Sequence, residues 1–317
     1  MAAAKGTDVP TRIVLIGATA SGKSEVALRL ARRFDGEIVG ADSRQIYRGL
    51  EIGTAAPSSE ERSLAPHHLI SFLDPSEIYS AGRYGREARA AVLNVEARER
   101  LALVVGGSGL YVRALLQGLF EGPSRDEVVR ARLADRLRQE GLGSLREELG
   151  RVDPDALRAI LPGDTVRVIR ALEVHELTGR RISELRREGV REPFPARVFG
   201  LRWPRAILAE RIAARLSAQL AGGFLDEANR LLEARLPEDA PGPRTLGYRE
   251  LIAHLRGGTS LEDAAAAIVL KTRQLAKRQE TWFKNMAAVE WFSLEAADQL
   301  PRVADAIGAE LARAGEE

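Results

Sequence analysis

Gly17-Ala18-Thr19-Ala20-Ser21-Gly22-Lys23-Ser24 meets all four fixed positions of the phosphate-cradling pattern G-x-x-x-x-G-K-[ST]. The pattern works only between a strand and a helix, so it dictates its own surroundings. Upstream, Arg12 to Ile16 reads as a buried strand; downstream, Val26, Ala27, Leu28, Leu30 and Ala31 continue as an apolar-faced helix. Small residues let successive N–H groups turn inward, the helix start adds partial positive charge, and Lys23 neutralises phosphate oxygens. The Ser24 hydroxyl is the expected ligand of Mg²⁺. A Gly-rich turn capped by Ser would share the composition, but the strand and helix on either side favour a diphosphate site built from residues 17–24. Which diphosphate compound it holds is not written in the loop.

The chain of 317 residues has room for two compact units or one domain with a large insertion. With 45% apolar and 29% charged residues it has material for both a core and a surface. No apolar run reaches membrane-spanning length and a short polar leader precedes the first strand, so the cytoplasm is the expected location. The absence of cysteine excludes disulfides, thiol chemistry and Cys-ligated zinc, and four scattered His argue against a His-rich metal site. Mg²⁺ on oxygen ligands is the expected metal. Because 47 basic residues face 45 acidic ones, whole-chain charge does not point to a polyanion, and local clustering has to decide.

A second strand, Gly36 to Ala41, delivers Asp42-Ser43-Arg44-Gln45 to its C-terminal end, the end that carries ligands in open parallel sheets. Asp42 there suits a metal ligand, a general base or the cap of a following turn. His67 and His68, adjacent on a short strand, point to opposite faces and cannot easily share one ion. A helix over Ala81 to Arg100 leads into Leu101-Ala102-Leu103-Val104-Val105, the most apolar strand, expected at the sheet centre. It ends in Gly106-Gly107-Ser108-Gly109, with no acidic residue where a phosphate-hydrolysing protein of this architecture would carry one. From Gly122 to Pro195 the spacing is helical throughout, and Arg197 to Trp203 alternates as a strand again. The expected fold is therefore α/β, a P-loop NTPase-like parallel sheet with a helical insertion and C-terminal helices. Residues 1–121 form the first part of the core, 122–196 the insertion and 197–317 the core's return.

Between Lys271 and Lys284, five basic residues stand against Glu280 alone, flanking an apolar stripe of Ile268, Leu275 and Trp282. A solvated helix face explains this as well as a phosphate backbone does. A second Arg-rich region between Arg158 and Arg187 shifts the balance toward a nucleic acid held across the mouth of the crevice. Arg211 and Arg215, four apart on one helix face, suit either a clamp on a departing diphosphate or ion pairing with Glu210.

In this order the motifs resemble the bacterial tRNA dimethylallyltransferases, also called tRNA isopentenyltransferases, over nearly the whole chain. The residues that carry the resemblance are Gly17 to Ser24, Asp42 to Gln45 with Tyr47, Ile52-Gly53-Thr54-Ala55, Pro66-His67-His68, and Gly106 to Tyr111. Arg167 to Glu173, Gly247-Tyr248-Arg249-Glu250 and Thr272 to Gln279 complete it. The resemblance implies transfer of a dimethylallyl group from its diphosphate to N6 of an adenine beside the anticodon, in tRNAs reading codons that begin with U. It implies Asp42 as general base, Arg215 with Lys23 on the diphosphate, and Gln45 at the adenine edge. It also implies RNA contacts from Asp42, Ser43, Arg44, Gln45, Ser108, Arg130, Thr165, Val166, Arg167, Val168, Ile169, Arg273, Lys277 and Arg278, by a monomer. The chain departs from the family at Ser108, where Thr is usual, at Ala56, where Lys is usual, and at Leu161-Pro162-Gly163-Asp164, which replaces His-Pro-Asn-Asp. Transfer to free adenine nucleotides is the nearest alternative. A phosphotransferase using ATP lacks its acid after Val105, and a GTPase lacks an N-K-x-D segment.

Overall fold

The computed structural model describes residues 12–120, 122–123, 125–188 and 193–314. The polar leader and the expected core boundary at position 121 lie outside the described residues. The chain forms two compact units, one of Met1–Leu116 with Phe194–Glu317 and one of Gln117–Pro193.

The first unit is built on six parallel strands: β1 (Ile13–Gly17), β2 (Glu37–Gly40), β3 (His67–His68), β4 (Ala102–Gly106), β5 (Arg197–Arg202) and β6 (Val289–Ser293). Their order is β3-β2-β4-β1-β5-β6. After β4 the chain crosses β1 to build β5 and β6 on its other side, so β1 flanks the point where the topology reverses. Ligands bind at such points, beyond the C-terminal strand ends. Successive residues point to opposite faces: Val14, Ile16, Val104 and Val198 pack into one apolar cluster, and Ile13, Leu15, Leu103 and Phe199 into another. Both faces are covered, which is why β4 and β1 read as unbroken apolar runs. The second cluster includes Val26 and Leu30 of the helix Lys23–Arg33 and Val303 and Ile307 of the helix Leu300–Ala314. The first is completed by the helices Ala81–Glu96, Gly109–Gln117, Phe224–Glu233, Tyr248–Leu255 and Leu261–Lys284. No helix among the described residues is long and apolar enough to cross a membrane.

Two expectations shift, and the reading of the histidine pair holds. The units divide at Leu116 and Phe194, ahead of 121 and 196: the Phe194 amide donates to Leu116 O at 2.8 Å and the Phe194 ring lies under the Arg12 guanidinium. On Leu261–Lys284 the buried stripe is Ala264, Ile268, Thr272, Ala276 and Phe283, whereas Leu275 and Trp282 are half-buried. His68 Nε2 lies 2.6 Å from buried Glu37, while His67 Nδ1 meets Ala65 O at 2.8 Å, so the pair serves packing at the edge of the sheet. Burial alone would raise the Glu37 pKa, but hydrogen bonds from Arg98, His68 and Arg100 hold it at about 2.

The Gln117–Pro193 unit is all helical among its described residues, with its own core of Leu133, Leu145, Leu149, Val168, Leu172 and Ile182. Its polar centre is Glu173, which is fully buried. Arg130 grips both carboxylate oxygens, at 2.8 and 3.0 Å, Arg170 adds a bond at 2.6 Å, and the Asp126 amide one at 3.0 Å. Removing one partner leaves charge buried and unpaired. Glu173→Ala is accordingly expected to destabilise this unit by about 3–5 kcal/mol, read as lost hydrogen-exchange protection in the helices Glu127–Val152 and Thr165–Thr178.

Candidate active site

Side-chain donors occupy four carbonyls of the loop after β1. Lys23 Nζ bonds Gly17 O at 3.0 Å and Ala18 O at 2.7 Å. The Arg211 side chain donates to Ala20 O at 2.8 Å, and the Trp203 indole N–H to Ser21 O at 2.9 Å. Gly22, at φ 92°, caps the helix that starts at Lys23, and the amides of that first turn have no intrahelical acceptor. The amides of this helix N-terminus suit an anion, while the Thr19 amide is held by Gln279 and the Ser21 amide by Ala18 O.

Arg211 and Arg215 divide the work that spacing alone left open. Arg211 stacks on Trp203 at 4.4 Å and braces the loop from behind. Arg215 Nη2 reaches Thr19 Oγ1 at 2.7 Å and lines the cleft. Neither pairs with Glu210 among the described residues. Burial lowers the pKa of Arg215, and Asp42 opposes that shift. The same neighbours act on Lys23: withdrawal of its ammonium from water lowers its pKa to about 8, against the attraction of Asp42 and aided by the repulsion of Arg215. Asp42, Lys23 and Arg215 thus share one electrostatic neighbourhood.

Asp42 Oδ1 accepts the Arg44 amide at 2.9 Å, so the turn-capping role and an active-site position coexist in one side chain. Ser108 steadies that turn, its hydroxyl accepting the Ser43 amide at 2.9 Å and donating to Ser43 Oγ at 3.2 Å. An open cleft is lined by polar groups that include Thr19, Asp42, Arg44, Arg215, Gln219 and Gln279, and by the apolar Ile212, Leu216, Phe224, Leu246, Ile268 and Leu275. Ser24 does not line it. Its hydroxyl is exposed and borders a second hollow of about 340 Å³ with Gln45, Glu61 and His67.

Three predicted residues have other duties. Gln45 donates its amide to Thr54 O at 3.2 Å and Ala55 O at 2.8 Å, which leaves its carbonyl oxygen as the group able to read a base. Arg130 is committed to Glu173. Val168 is fully buried, because in the helix from Thr165 the 3.6-residue period turns it into the core while Val166 and Arg167 stay exposed and Thr165 and Ile169 stay half-exposed. Arg273, Lys277 and Arg278 are exposed and make no ion pair among the described residues.

Sequence reasoning missed the clamp on Glu51–Thr54. The amides of Ile52 and Gly53 donate to buried Glu227 at 3.0 and 2.9 Å, Tyr248 OH donates to the same carboxylate at 2.5 Å, and Gln219 holds Ile52 O at 2.6 Å. It also missed Gln279, whose Oε1 accepts the Thr19 amide at 2.8 Å while its Nε2 donates to Gly107 O at 3.0 Å. The available signal was a polar residue seven positions beyond buried Thr272, on the face that Ala276 and Phe283 bury.

Among the described residues no three His, Cys, Asp or Glu side chains gather as a metal cage. A hydroxyl such as Ser24 beside a phosphate site fits Mg²⁺, which takes few protein ligands and fills its octahedron with phosphate oxygens and water.

The IPP transferase family model matches residues 45–286. The chain is 46% identical over 283 residues to the tRNA dimethylallyltransferase of Anaeromyxobacter sp. (strain K), covering 89% of this chain and 92% of that one. It is 43% identical to that of Methylococcus capsulatus, covering 96% and 99%. Among solved structures, the full-length tRNA isopentenylpyrophosphate transferase of Bacillus halodurans superimposes with a TM-score of 0.69 at 34% identity, over 96% of this chain and 98% of that one. A eukaryotic dimethylallyltransferase described as acting on tRNA gives 0.74 at 27% identity, over 90% and 74%. The chain belongs to the IPP transferase family, and its fold is the P-loop NTPase-like fold.

Occupation of the loop by phosphate restores charge partners to Lys23 and raises its pKa. Above about pH 8 the free protein holds Lys23 increasingly neutral, so binding of inorganic pyrophosphate is expected to take up a proton and to weaken as pH rises. Titration calorimetry in buffers of different ionisation enthalpy measures that uptake, which Lys23→Met should abolish.

Proposed function

We propose that the protein transfers a dimethylallyl group from dimethylallyl diphosphate to the exocyclic N6 of the adenine 3′ of the anticodon, in tRNAs reading codons that begin with U. The observation that carries this reading is a single cleft in which phosphate-binding residues, a carboxylate and an apolar wall meet. A donor with a diphosphate at one end and a branched hydrocarbon at the other needs those surroundings. The family relatives, named tRNA dimethylallyltransferases over nearly their full length, agree with it.

The amides of the loop, Lys23 and Arg215 would hold the diphosphate, with Ser24 as the protein ligand of Mg²⁺, which supplies positive charge to the leaving oxygens. The N6 lone pair attacks C1 of the dimethylallyl group, and the C1–O bond breaks with its electron pair leaving on diphosphate. The N6 proton passes to the Asp42 carboxylate. An adenine amine is a poor nucleophile, so alignment and leaving-group stabilisation supply much of the acceleration. The base must leave its stack to reach this cleft; Gln45, by the family resemblance, would read its edge with the carbonyl that its hydrogen bonds to Thr54 and Ala55 leave free. Ser108 and Ser43 act by fixing the Asp42 turn. Arg273, Lys277 and Arg278 offer the RNA backbone charge that has no ion pair among the described residues, and in the other unit Val166 and Arg167 offer an exposed helix start. We propose further that the protein works as a monomer and meets its RNA substrate in the cytoplasm.

Two measurements check this. With Mg²⁺ and labelled dimethylallyl diphosphate, an anticodon stem-loop bearing adenine 3′ of the anticodon should be labelled and free AMP should not; labelling of AMP alone would establish the free-nucleotide alternative. Replacing Arg273, Lys277 and Arg278 together with Ala should weaken stem-loop binding and reduce the slope of log affinity against log salt by about 2 to 3.

A further inference from the structure

The helix Leu261–Lys284 carries different chemistry on its two sides. One side presents Arg273, Lys277 and Arg278 to solvent, without ion pairs among the described residues. The other inserts Gln279 between two backbone segments of the donor site. Its carbonyl oxygen holds the Thr19 amide of the phosphate loop at 2.8 Å, and its amide nitrogen holds Gly107 O at the end of β4 at 3.0 Å. Thr19 is the residue whose hydroxyl Arg215 grips, and Gly107 precedes Ser108, which fixes the Asp42 turn. The approach depends on position 107 being glycine: a Cβ there would lie 2.4 Å from Gln279 Nε2. Thus one side chain joins the diphosphate loop, the strand end that orients the base and the helix that faces the RNA.

We infer that Gln279 is a positioning residue that couples occupation of the phosphate loop to RNA binding on the basic side of its helix. The inference rests on the function proposed above, because it takes the exposed cations to be RNA contacts. Lys277 and Arg278 stand within one helical turn of Gln279, so RNA seated on them restrains the same rigid segment that sets Thr19. Phosphate in the loop restrains Thr19 from the other side, and Gln279 carries that order back to the helix. Each ligand meets part of its ordering cost already met by the other, which makes the coupling positive and reciprocal.

The test uses the full chain and unreactive ligands. Affinity for a labelled anticodon stem-loop is measured by anisotropy with Mg²⁺, without and with saturating inorganic pyrophosphate, and pyrophosphate affinity is measured without and with RNA. In the unaltered protein each ligand should tighten the other by at least about fivefold, the lower end of ordinary allosteric coupling, and by the same factor in both directions. In Gln279→Leu, which keeps the side chain's bulk and loses both hydrogen bonds, RNA and pyrophosphate should each still bind while the coupling factor falls to near one. Gly107→Ala displaces the amide from the opposite side and should give the same loss, which guards against a misfolded single variant. Coupling absent from the unaltered protein, or retained in both variants, overturns the inference. A clip with only a structural task would lower both affinities and leave their ratio unchanged, which also overturns it. Failure of the unaltered protein to bind the stem-loop at all would instead count against the proposed function.

Discussion

The capture of four carbonyl groups between Gly17 and Ser21 by side-chain donors is the constraint on which the site depends. A backbone loop between a strand and a helix has as many acceptors as donors, and it attracts an anion only when the acceptors are occupied elsewhere. Lys23, Arg211 and Trp203 occupy them. The remaining amides then act together with the helix N-terminus, and the low effective dielectric around the Lys23 ammonium would make an interaction with an anion there stronger than in water. That environment also depresses the pKa of Lys23, so the site holds a cation at an energetic disadvantage that an incoming anion would relieve.

Around the loop, the remaining parts are held by side chains from distant sequence. Glu227, Tyr248 and Gln219 fix Ile52 and Gly53, Gln45 fixes Thr54 and Ala55, and Ser108 fixes Ser43. These bonds run mainly from side chain to backbone, which places the backbone without consuming the groups that face substrate. Asp42 shows the economy of the arrangement. One oxygen closes its own turn through the Arg44 amide, and the other has no hydrogen-bond partner among the described residues.

The sheet was legible because its strands carry the sequence's strongest local signal. Apolar runs such as Leu103-Val104-Val105, covered on both faces, mark central strands whatever surrounds them, and the phosphate loop fixed the order strand, loop, helix. Asp42 could be placed at a strand end by the same logic. Gln279, Trp203 and Glu227 could not be given roles, because each acts across more than 170 residues of chain on a backbone group that has no sequence signature. Arg130 and Val168 illustrate the opposite error. An arginine offered as an RNA contact by family resemblance reads as free until a buried glutamate 43 residues away claims it, and a residue inside a contact motif reads as available until helical periodicity turns it inward. Local pattern reports which residues exist on an element; only packing decides which of them meet a partner.

The central claim is that one crevice divides its labour, with Lys23 and Arg215 holding what leaves and Asp42 receiving the proton from what attacks. Asp42→Asn separates the two tasks, since it keeps the Asx turn and removes the base. Single-turnover transfer to the stem-loop, measured beside pyrophosphate affinity, is the direct test. The rate should fall by roughly 10²–10⁴, the usual contribution of a general base, with pyrophosphate affinity within about threefold of the unaltered protein. A rate that stays unchanged would contradict the account.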